Sequence, residues 1–389
     1  MQCLCGKVAR YAGRRDKTFK TTLGEMTLSR AYYHCDNCEI GFCPRDRTLC
    51  MTDTSLSPAV TRMVGLTAAL VSFAESSELL HELAGVPVDA KQVERTAEAL
   101  GREIDGDERN VVEPAAKESI PPTMYLGVDG TGIPMRKEEL ENRQGKQPDG
   151  SAKTREVKLV TVWSAETRDK DGLPVRDDGS VTYTAAIESA AQRDVDDVPS
   201  EFAQRVLREA ERRGFDRAAR QVILGDGAKW IWNLAGEHFP QAVQIVDRFH
   251  AKEKLHTIAK DIYGSKSDLW KPWANQRCDE LDAGDTNAIL RALNAHAAGS
   301  KEAKQGMGFF TNNLERMNYP RFEAEVLCTG SGVVEAGCKT AIGTRLKRAG
   351  MHWTVAGADA IIALRCCKLS GRFEDFWERR SVAKNRATG

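Results

Sequence analysis

The spacing of apolar residues predicts helices over residues 55–112. Their apolar positions are spaced loosely, as on helix faces: Val60, Val64, Leu70, Phe73, Leu79, Leu80 and Leu83. Gly85 interrupts the pattern, and Asp89 can cap a second helix that carries Val93, Ala97 and Leu100. Two helices joined at a glycine resemble a helix-turn-helix, which would place Lys91 and Arg95 on the second helix to contact DNA. An ordinary helical pair explains the same pattern.

A different pattern follows Pro121-Pro122, which marks a domain boundary. Short apolar runs predict five strands, at residues 124–128, 157–163, 181–187, 222–224 and 243–246. Amphipathic segments predict helices, at residues 201–213, 230–235 and 250–262. The order β-β-β-α-β-α-β-α implies an α/β fold with a mixed sheet covered by helices. Residues 266–325 are predicted to be helical and to interrupt this order.

Composition narrows the class of protein. With 389 residues, 41% of them hydrophobic and 29% charged, the chain is typical of a soluble globular protein of two or three domains. No apolar run is long enough to cross a membrane and no secretory signal is evident, so we expect a cytoplasmic protein. In that compartment, the eleven cysteines should be reduced thiols or metal ligands.

Charge is distributed unevenly, although the chain as a whole is neutral. Residues 1–50 contain nine Lys or Arg against five Asp or Glu, and residues 339–389 contain eleven against four. Basic ends around an acidic middle fit a protein that binds phosphates at its periphery, and they fit solvated tails equally well.

The N-terminal cysteines form two pairs, Cys3-x-Cys5 and Cys35-x-x-Cys38. Two thiolate pairs on tight turns can complete a tetrahedral S4 site, and the segment between them is predicted to be a hairpin, as in a zinc ribbon. Four thiolates leave no open position for catalysis, so we expect a structural Zn²⁺. Cys43 or Cys50 could replace a ligand, and buried inert thiols are the alternative interpretation.

Two acids follow apolar strands in matching contexts. Asp129 follows Gly127-Val128, and Asp226 follows Leu224-Gly225; each is followed by a glycine. If the two strands are neighbours, both carboxylates lie at one edge of the sheet, where oxygen ligands can hold Mg²⁺ or Mn²⁺. Two such ions catalyse phosphoryl transfer. Either acid alone is more often a turn residue, but two in matching contexts favour a metal site.

A third acid is needed to complete the site, and Glu335 is the best candidate. It would lie in the first turns of a helix capped by Ser331. The alternative is a surface ion pair with Lys339. Three further acids are rivals for the role: Glu315, Glu323 and Glu325. We expect the same helix to carry a set of basic residues that bind DNA phosphates, namely Lys339, Arg345, Lys347 and Arg348.

Asp247 and His250 form a further candidate pair. Asp247 leaves the fifth strand and His250 opens the next helix, so the two could orient a water molecule or contact a phosphate. A structural role for the histidine is equally compatible with the sequence.

At these motifs the chain resembles a known group. The segments 127–132, 225–232, 330–350 and 364–375 resemble the DDE transposases of bacterial insertion sequences, in particular the ISKra family. The resemblance implies an RNase H-like core in which Asp129, Asp226 and Glu335 bind two metal ions. It also implies that Asp247 and His250 match an Asp-x-x-His signature, and that the 109-residue interval between Asp226 and Glu335 contains a helical insertion.

These expectations give a domain plan. It consists of a zinc-ribbon module at 1–52, a helical DNA-binding module at 53–118, the first part of the RNase H-like core at 119–265, a helical insertion at 266–326, and the last part of the core with a basic tail at 327–389.

The expected activity is metal-dependent DNA cleavage at transposon ends followed by strand transfer. Its partners would be the terminal inverted repeats, target DNA and at least one further copy of the chain, in association with the bacterial nucleoid. A structure-specific nuclease on the same core and a non-catalytic zinc-dependent DNA-binding protein are the alternatives.

Overall fold

The computed structural model describes residues 1–49, 51–52, 54–116, 120–145, 147, 150–190, 198–330 and 332–386, with side chains to residue 380. The chain forms two compact units. Unit 1 combines Met1–Asn110 with Arg345–Gly389, and unit 2 is Val111–Thr344. Among the described residues, no helix has the length and apolarity that a membrane span requires.

Unit 1 begins with a small antiparallel sheet. Strands β1 (Arg10–Thr21) and β2 (Gly24–Cys35) form the hairpin expected between the cysteine pairs, and β3 (Ile40–Phe42) adds to the free edge of β2. The short helix α1 (Pro44–Thr48) follows. Few residues of the hairpin are buried, Phe19 and Cys35 among them, so this sheet has little apolar core of its own.

Three helices come next, and local sequence sets their ends. They are α2 (Pro58–Leu70), α3 (Phe73–Ala84) and α4 (Ala90–Asn110). Gly85 ends α3 in the left-handed conformation, with φ of 64°, because a glycine there has no Cβ to strain. The Asp89 carboxylate accepts the Gln92 N–H at 2.9 Å at the start of α4, as expected. Helix α4 has 21 residues.

Unit 2 is built around a five-stranded mixed sheet. Its elements in chain order are β4 (Thr123–Pro134), β5 (Thr154–Ser164), the two-residue strands β6 (Thr167–Arg168) and β7 (Pro174–Val175), β8 (Thr182–Ala186), α5 (Glu201–Arg213), β9 (Arg220–Gly225), α6 (Lys229–His238), β10 (Val243–Val246) and α7 (Arg248–Tyr263). The strand order is β10-β9-β4-β5-β8. Strands β4, β9 and β10 are parallel, whereas β5 is antiparallel to both β4 and β8.

Strand β4 is longer than predicted. It runs through Asp129 to Pro134 because β5 pairs with it along the whole length, and only its pairing with β9 ends at Val128. Asp129 therefore lies where one neighbouring strand stops and the other continues.

A block of helices follows the sheet, in the region where an insertion was expected. It contains α8 (Trp270–Asp282), α9 (Thr286–Asn294), α10 (Lys301–Asn312) and α11 (Tyr319–Ala324). Next come α12 (Gly332–Gly337), a π-helical turn (Cys338–Gly343) and α13 (Thr344–Leu346). Helical structure around Glu335 was predicted, whereas its proposed cap Ser331 lies outside the described residues. Lys347 and Arg348 follow the helix instead of lying on it.

The last two helices, α14 (Val355–Leu369) and α15 (Phe373–Arg386), belong to unit 1. Helix α14 packs against α4 so closely that a Cβ at Gly101 would lie 1.9 Å from the Ala360 carbonyl oxygen. The segment expected to form the last part of the core with a basic tail, 327–389, is divided between the units, and its residues 345–389 cluster with the N-terminal helices.

Candidate metal centres

Three aspartates lie in one row where the paired region of the three parallel strands of the unit 2 sheet ends. Val128 and Val246 both pair with Gly225, so the next residues on β4, β9 and β10 are Asp129, Asp226 and Asp247. The Asp247 N–H donates to the Gly225 carbonyl at 2.8 Å, which extends the alignment by one residue. Adjacent strands lie about 4.8 Å apart, so neighbouring carboxylates in such a row are within reach of a shared cation.

Helix α12 lies over the face of the sheet that carries these carboxylates. Side chains repeat every second residue along a strand, so Asp129 is on the same face as Gly127. The space where a Gly127 Cβ would be is occupied by the side chain of Val334 in α12, whose Cγ2 would lie 2.1 Å from it. The absence of a side chain at residue 127 thus allows the helix to pack directly on the sheet.

Cys338 connects this helical segment to Asp129. Its thiol lies close enough to the Asp129 carboxyl to lower the pKa of that carboxyl, and Glu335 lies three residues earlier in the chain. In the same helix, Glu335 directly follows Val334, the residue that packs on Gly127. The Glu335 side chain is exposed to solvent.

Burial raises the pKa of the Asp129 carboxyl above its usual range, because desolvation disfavours the charged form. The Cys338 thiol, the Gly130 N–H and His250 act in the opposite direction, and the neighbouring Asp226 raises this pKa further. The nearby negative charge of Asp226 therefore adds to the effect of burial.

Each aspartate also accepts a local backbone N–H. Asp129 accepts from Gly130 at 2.7 Å, Asp226 from Ala228 at 2.9 Å, and Asp247 caps α7 by accepting from His250 at 2.8 Å. These bonds fix the carboxylates on the strand ends. They are the turn and cap roles given above as the alternative interpretation, and they are compatible with metal binding.

His250 is half-buried beside the row. Its Nδ1 lies 3.6 Å from Asp247 Oδ1, beyond hydrogen-bonding distance, and has no hydrogen-bond partner among the described residues. Because this nitrogen is buried, it requires a partner that is supplied by ligand, solvent or a small rotation of the ring.

The rivals of Glu335 differ from it in their contacts. Glu323 forms an ion pair with Arg248, and Glu325 lies 3.7 Å from Arg321. Glu315 is exposed in a short 3₁₀ turn. Glu335 alone of these acids lies on the helix that packs on Gly127, two residues before Asp129. In the described parts of the chain, however, the acids do not converge to the spacing of a formed three-ligand site.

The four N-terminal cysteines do converge. Their sulfur atoms all lie within 4.8 Å of one another, with Cys3 and Cys38 at 3.5 Å and Cys5 and Cys35 at 3.6 Å. A tetrahedral zinc with bonds of about 2.3 Å separates its sulfur ligands by about 3.8 Å, so this cluster has the dimensions of such a site.

Backbone amides support the cysteine cluster. The Lys7 N–H lowers the pKa of the Cys5 thiol to about 7, which favours the thiolate that a metal requires. Cys43 is not a member of the cluster and instead precedes α1. Cys50 lies outside the described residues. The chain thus has a four-cysteine group suited to a metal ion such as zinc.

The basic residues predicted to bind DNA have unlike environments. Lys91 and Arg95 are exposed one turn apart on α4, with Lys91 2.7 Å from Glu94. Lys339 is exposed in the π-helical turn, Lys347 is exposed after α13, and Arg348 forms an ion pair with Glu75.

The prediction for Arg345 is wrong. Its side chain is fully buried: Nε donates to the Ala68 carbonyl at 3.0 Å, and the guanidinium lies over the Phe73 and Trp353 rings. Arg365 donates to the next carbonyl, of Ala69, so two buried arginines cap the end of α2. Arg345 is a structural residue because this cap removes it from the surface.

The comparison with protein families matches residues 9–381 to the family described as "Uncharacterised protein family (UPF0236)". The chain belongs to UPF0236. The description of this family names no activity, so the resemblance to insertion-sequence transposases stays a prediction. No curated protein matches the chain.

Among solved structures, this UPF0236 chain is similar to one titled "Drosophila P element transposase strand transfer complex". The identity is 11%, the match covers 87% of this chain and 84% of the other, and the TM-score is 0.29. A TM-score of this size does not establish a common fold.

Sequence reasoning missed Cys338 in this UPF0236 chain. It had singled out Glu335 and Lys339 on the same segment, yet it gave the intervening cysteine no role. The helical spacing from Glu335 was the available signal, since it places residue 338 on the face of the candidate acid.

Proposed function

We propose that unit 2 is an RNase H-like core that cleaves DNA at the ends of a mobile element and joins them to target DNA. The observation that carries the proposal is the row of Asp129, Asp226 and Asp247 on three adjacent parallel strands, beneath the helix that bears Glu335. The strand order also supports the proposal. The antiparallel strands β4, β5 and β8 form one side of the sheet, and β9 and β10 extend it on the other side of β4.

Asp129, Asp226 and Glu335 would hold two divalent ions, Mg²⁺ or Mn²⁺. When bound, these ions would favour deprotonation of the attacking group and neutralise the charge that develops on the phosphate. The donor set fits such ions, since it consists of oxygen ligands and the Asp129 carboxyl has a raised pKa that a cation would lower.

Two successive displacements at phosphorus would follow. In the first, a water oxygen bonds to phosphorus at the element end, the bond to the 3′ oxygen breaks, and a 3′-hydroxyl and a 5′-phosphate result. In the second, that 3′-hydroxyl attacks a target phosphodiester, forms a new ester and releases a target 3′-hydroxyl. Asp247 would position His250, which lies close enough to Asp129 to stabilise its charged form.

The N-terminal four-cysteine sheet would be a zinc ribbon that, with α2 to α4, recognises the element ends. Pairing two ends requires at least two copies of the chain, so we propose a homo-oligomer on DNA. The exposed residues Lys91, Arg95, Lys339 and Lys347 remain candidates for phosphate contacts.

The test is incubation of the purified protein with Mg²⁺ or Mn²⁺ and labelled DNA that carries the sequences flanking its own gene. Wild type should cleave and join 3′ ends, and Asp129→Ala should lose both reactions while it still binds the ends. Glu325→Ala is a matched control that should retain activity. Joining by Asp129→Ala would contradict the assignment, and cleavage without joining would indicate a nuclease.

A further inference from the structure

The N-terminal sheet carries arginines that are held by aromatic rings. The Arg15 guanidinium lies 3.6 Å from the centre of the Tyr32 ring, and that of Arg47 lies 4.0 Å from the centre of the Phe42 ring. Neither arginine forms an ion pair with an acid among the described residues. Stacking on a ring orients a guanidinium and leaves both its charge and its N–H edge available to an anion.

The neighbouring acids are engaged elsewhere. Asp46, next to Arg47 in sequence, forms a buried ion pair with Arg30, and Asp36 pairs with Arg10 at 3.2 Å. Asp16 follows Arg15 in sequence, but strand alternation places it on the opposite face of the hairpin. The positive charge of the two stacked arginines is therefore not neutralised locally.

The sheet is built to accommodate the first stack. A Cβ at Gly41 in β3 would lie 1.7 Å from the Tyr32 hydroxyl oxygen, so the tyrosine lies flat across the backbone only because residue 41 is glycine. Arg15 then covers the outer side of the ring and remains exposed. The ring is enclosed between backbone and guanidinium, which restricts the motion of both side chains.

The two stacks lie on either side of an edge strand. Gly41 and Phe42 are consecutive in β3, so they face opposite sides of the sheet. The Tyr32 ring, which lies against Gly41, and the Phe42 ring are therefore on opposite faces. In the part of the chain that the structure describes, no strand pairs with the outer side of β3. Arg15 belongs to β1 and approaches β3 only through its stack on Tyr32, which reaches Gly41. A ligand that contacts both arginines therefore has to extend across the edge of the sheet, as a polyanion with repeated phosphates can.

We propose that the edge of β3, with Arg15 and Arg47, docks on the phosphate backbone of duplex DNA. The choice of duplex DNA as the polyanion rests on the proposed function, whereas the phosphate-binding chemistry rests on the two stacks. These contacts would position the protein on DNA without reading its sequence, and the cysteine cluster would hold β3 in place for them.

The experiment measures the binding of full-length protein to a labelled duplex as a function of salt, without divalent ions. The slope of log affinity against log salt should fall in magnitude by about 0.9 for each arginine replaced in Arg15→Gln and Arg47→Gln. Arg10→Gln is the matched control, because its charge is already paired with Asp36, and its slope should equal that of wild type.

Two further variants separate charge from folding. Arg15→Lys and Arg47→Lys keep the charge and lose the planar stack, so the salt slope should persist while affinity falls. Zinc content, measured on every variant, shows that the sheet is intact. A double Gln variant that retains zinc and the wild-type slope would overturn the proposal.

Competition identifies the partner. Unlabelled duplex should displace the probe at lower concentration than single-stranded RNA of equal length, and equal displacement would overturn the assignment to duplex DNA. These outcomes do not depend on strand cleavage. A protein that fails to cleave but shows the arginine-dependent slope would refute the proposed function and leave this docking surface in place.

Discussion

Gly127→Ala tests the contact that brings the helix of Glu335 over the aspartate row. A Cβ at this position would lie 2.1 Å from Val334 Cγ2 and 2.9 Å from Trp163 Cζ3. Carbon atoms in ordinary contact are about 3.5–4.0 Å apart, so the neighbours must move by about 1.5 Å. Trp163 is fully buried in β5 and stacks on Tyr125, so the helix is the part that should yield.

The expected effect on activity exceeds the effect on stability. Overpacking of this kind costs about 1–3 kcal/mol in the free energy of unfolding. A shift of about 1 Å in a catalytic group lowers rates by about 100-fold. The substitution should therefore leave the protein folded in dilute solution while metal-dependent cleavage falls to about one hundredth of the wild-type rate.

Urea denaturation and the cleavage assay measure the two effects. Val334→Ala removes the clashing Cγ2, so the double variant should recover cleavage relative to Gly127→Ala and show non-additive stability. Gly236→Ala in α6 is the matched control, since a Cβ there has no heavy atom within 4 Å. Unchanged cleavage and stability in Gly127→Ala, or failure of Val334→Ala to rescue, would refute the packing argument.

Three further predictions concern unit 1. Cys35→Ser should lose bound zinc, whereas Cys43→Ser should retain it; equal zinc content in a metal assay would contradict the four-cysteine site. Arg345→Met should lower the free energy of unfolding by about 1–3 kcal/mol, because a buried carbonyl of α2 loses its donor, with no change in the salt slope of DNA binding; a stable variant with a reduced slope would contradict the buried role. Arg348 holds the pKa of Glu75 down to about 2, so the ion pair stabilises the folded protein above pH 4.5, and this stabilisation is lost as the pH falls towards 2. The free energy of unfolding of Arg348→Gln should therefore fall less than that of wild type across this pH interval. An equal fall in both proteins would contradict the proposed linkage.

The order of strands and helices along the chain and the matching contexts of Asp129 and Asp226 could be predicted because the signals are local. Short apolar runs separated by Gly and Pro mark each strand, and Gly225 and Gly227 bracket the second acid. The helix α5 before β9 permits parallel pairing, but only the structure shows that the partner is β4. The cap at Asp89 and the stop at Gly85 were equally local and are present in the structure.

The features that were missed depend on long-range contacts. Arg345 has the sequence environment of a surface arginine. It is buried by the end of α2 and the Phe73 ring, which are distant in the chain, together with the nearby Trp353 ring. The packing of 345–389 with unit 1 depends likewise on the approach of α14 to Gly101. Asp247 is aligned with the other two aspartates because Val246 of β10 pairs with Gly225 of β9. No local sequence pattern encodes this register.

The proposed function requires that Asp129, Asp226 and Glu335 act as ligands of divalent ions. Titration of Mn²⁺ into the DNA-bound protein, followed by electron paramagnetic resonance, measures this directly. We expect wild type and the control Glu323→Ala to bind about two ions with equal affinity, as two-metal sites do. Asp226→Ala and Glu335→Ala should each lose this binding, whereas undiminished Mn²⁺ binding by Asp226→Ala would contradict the proposed metal centre.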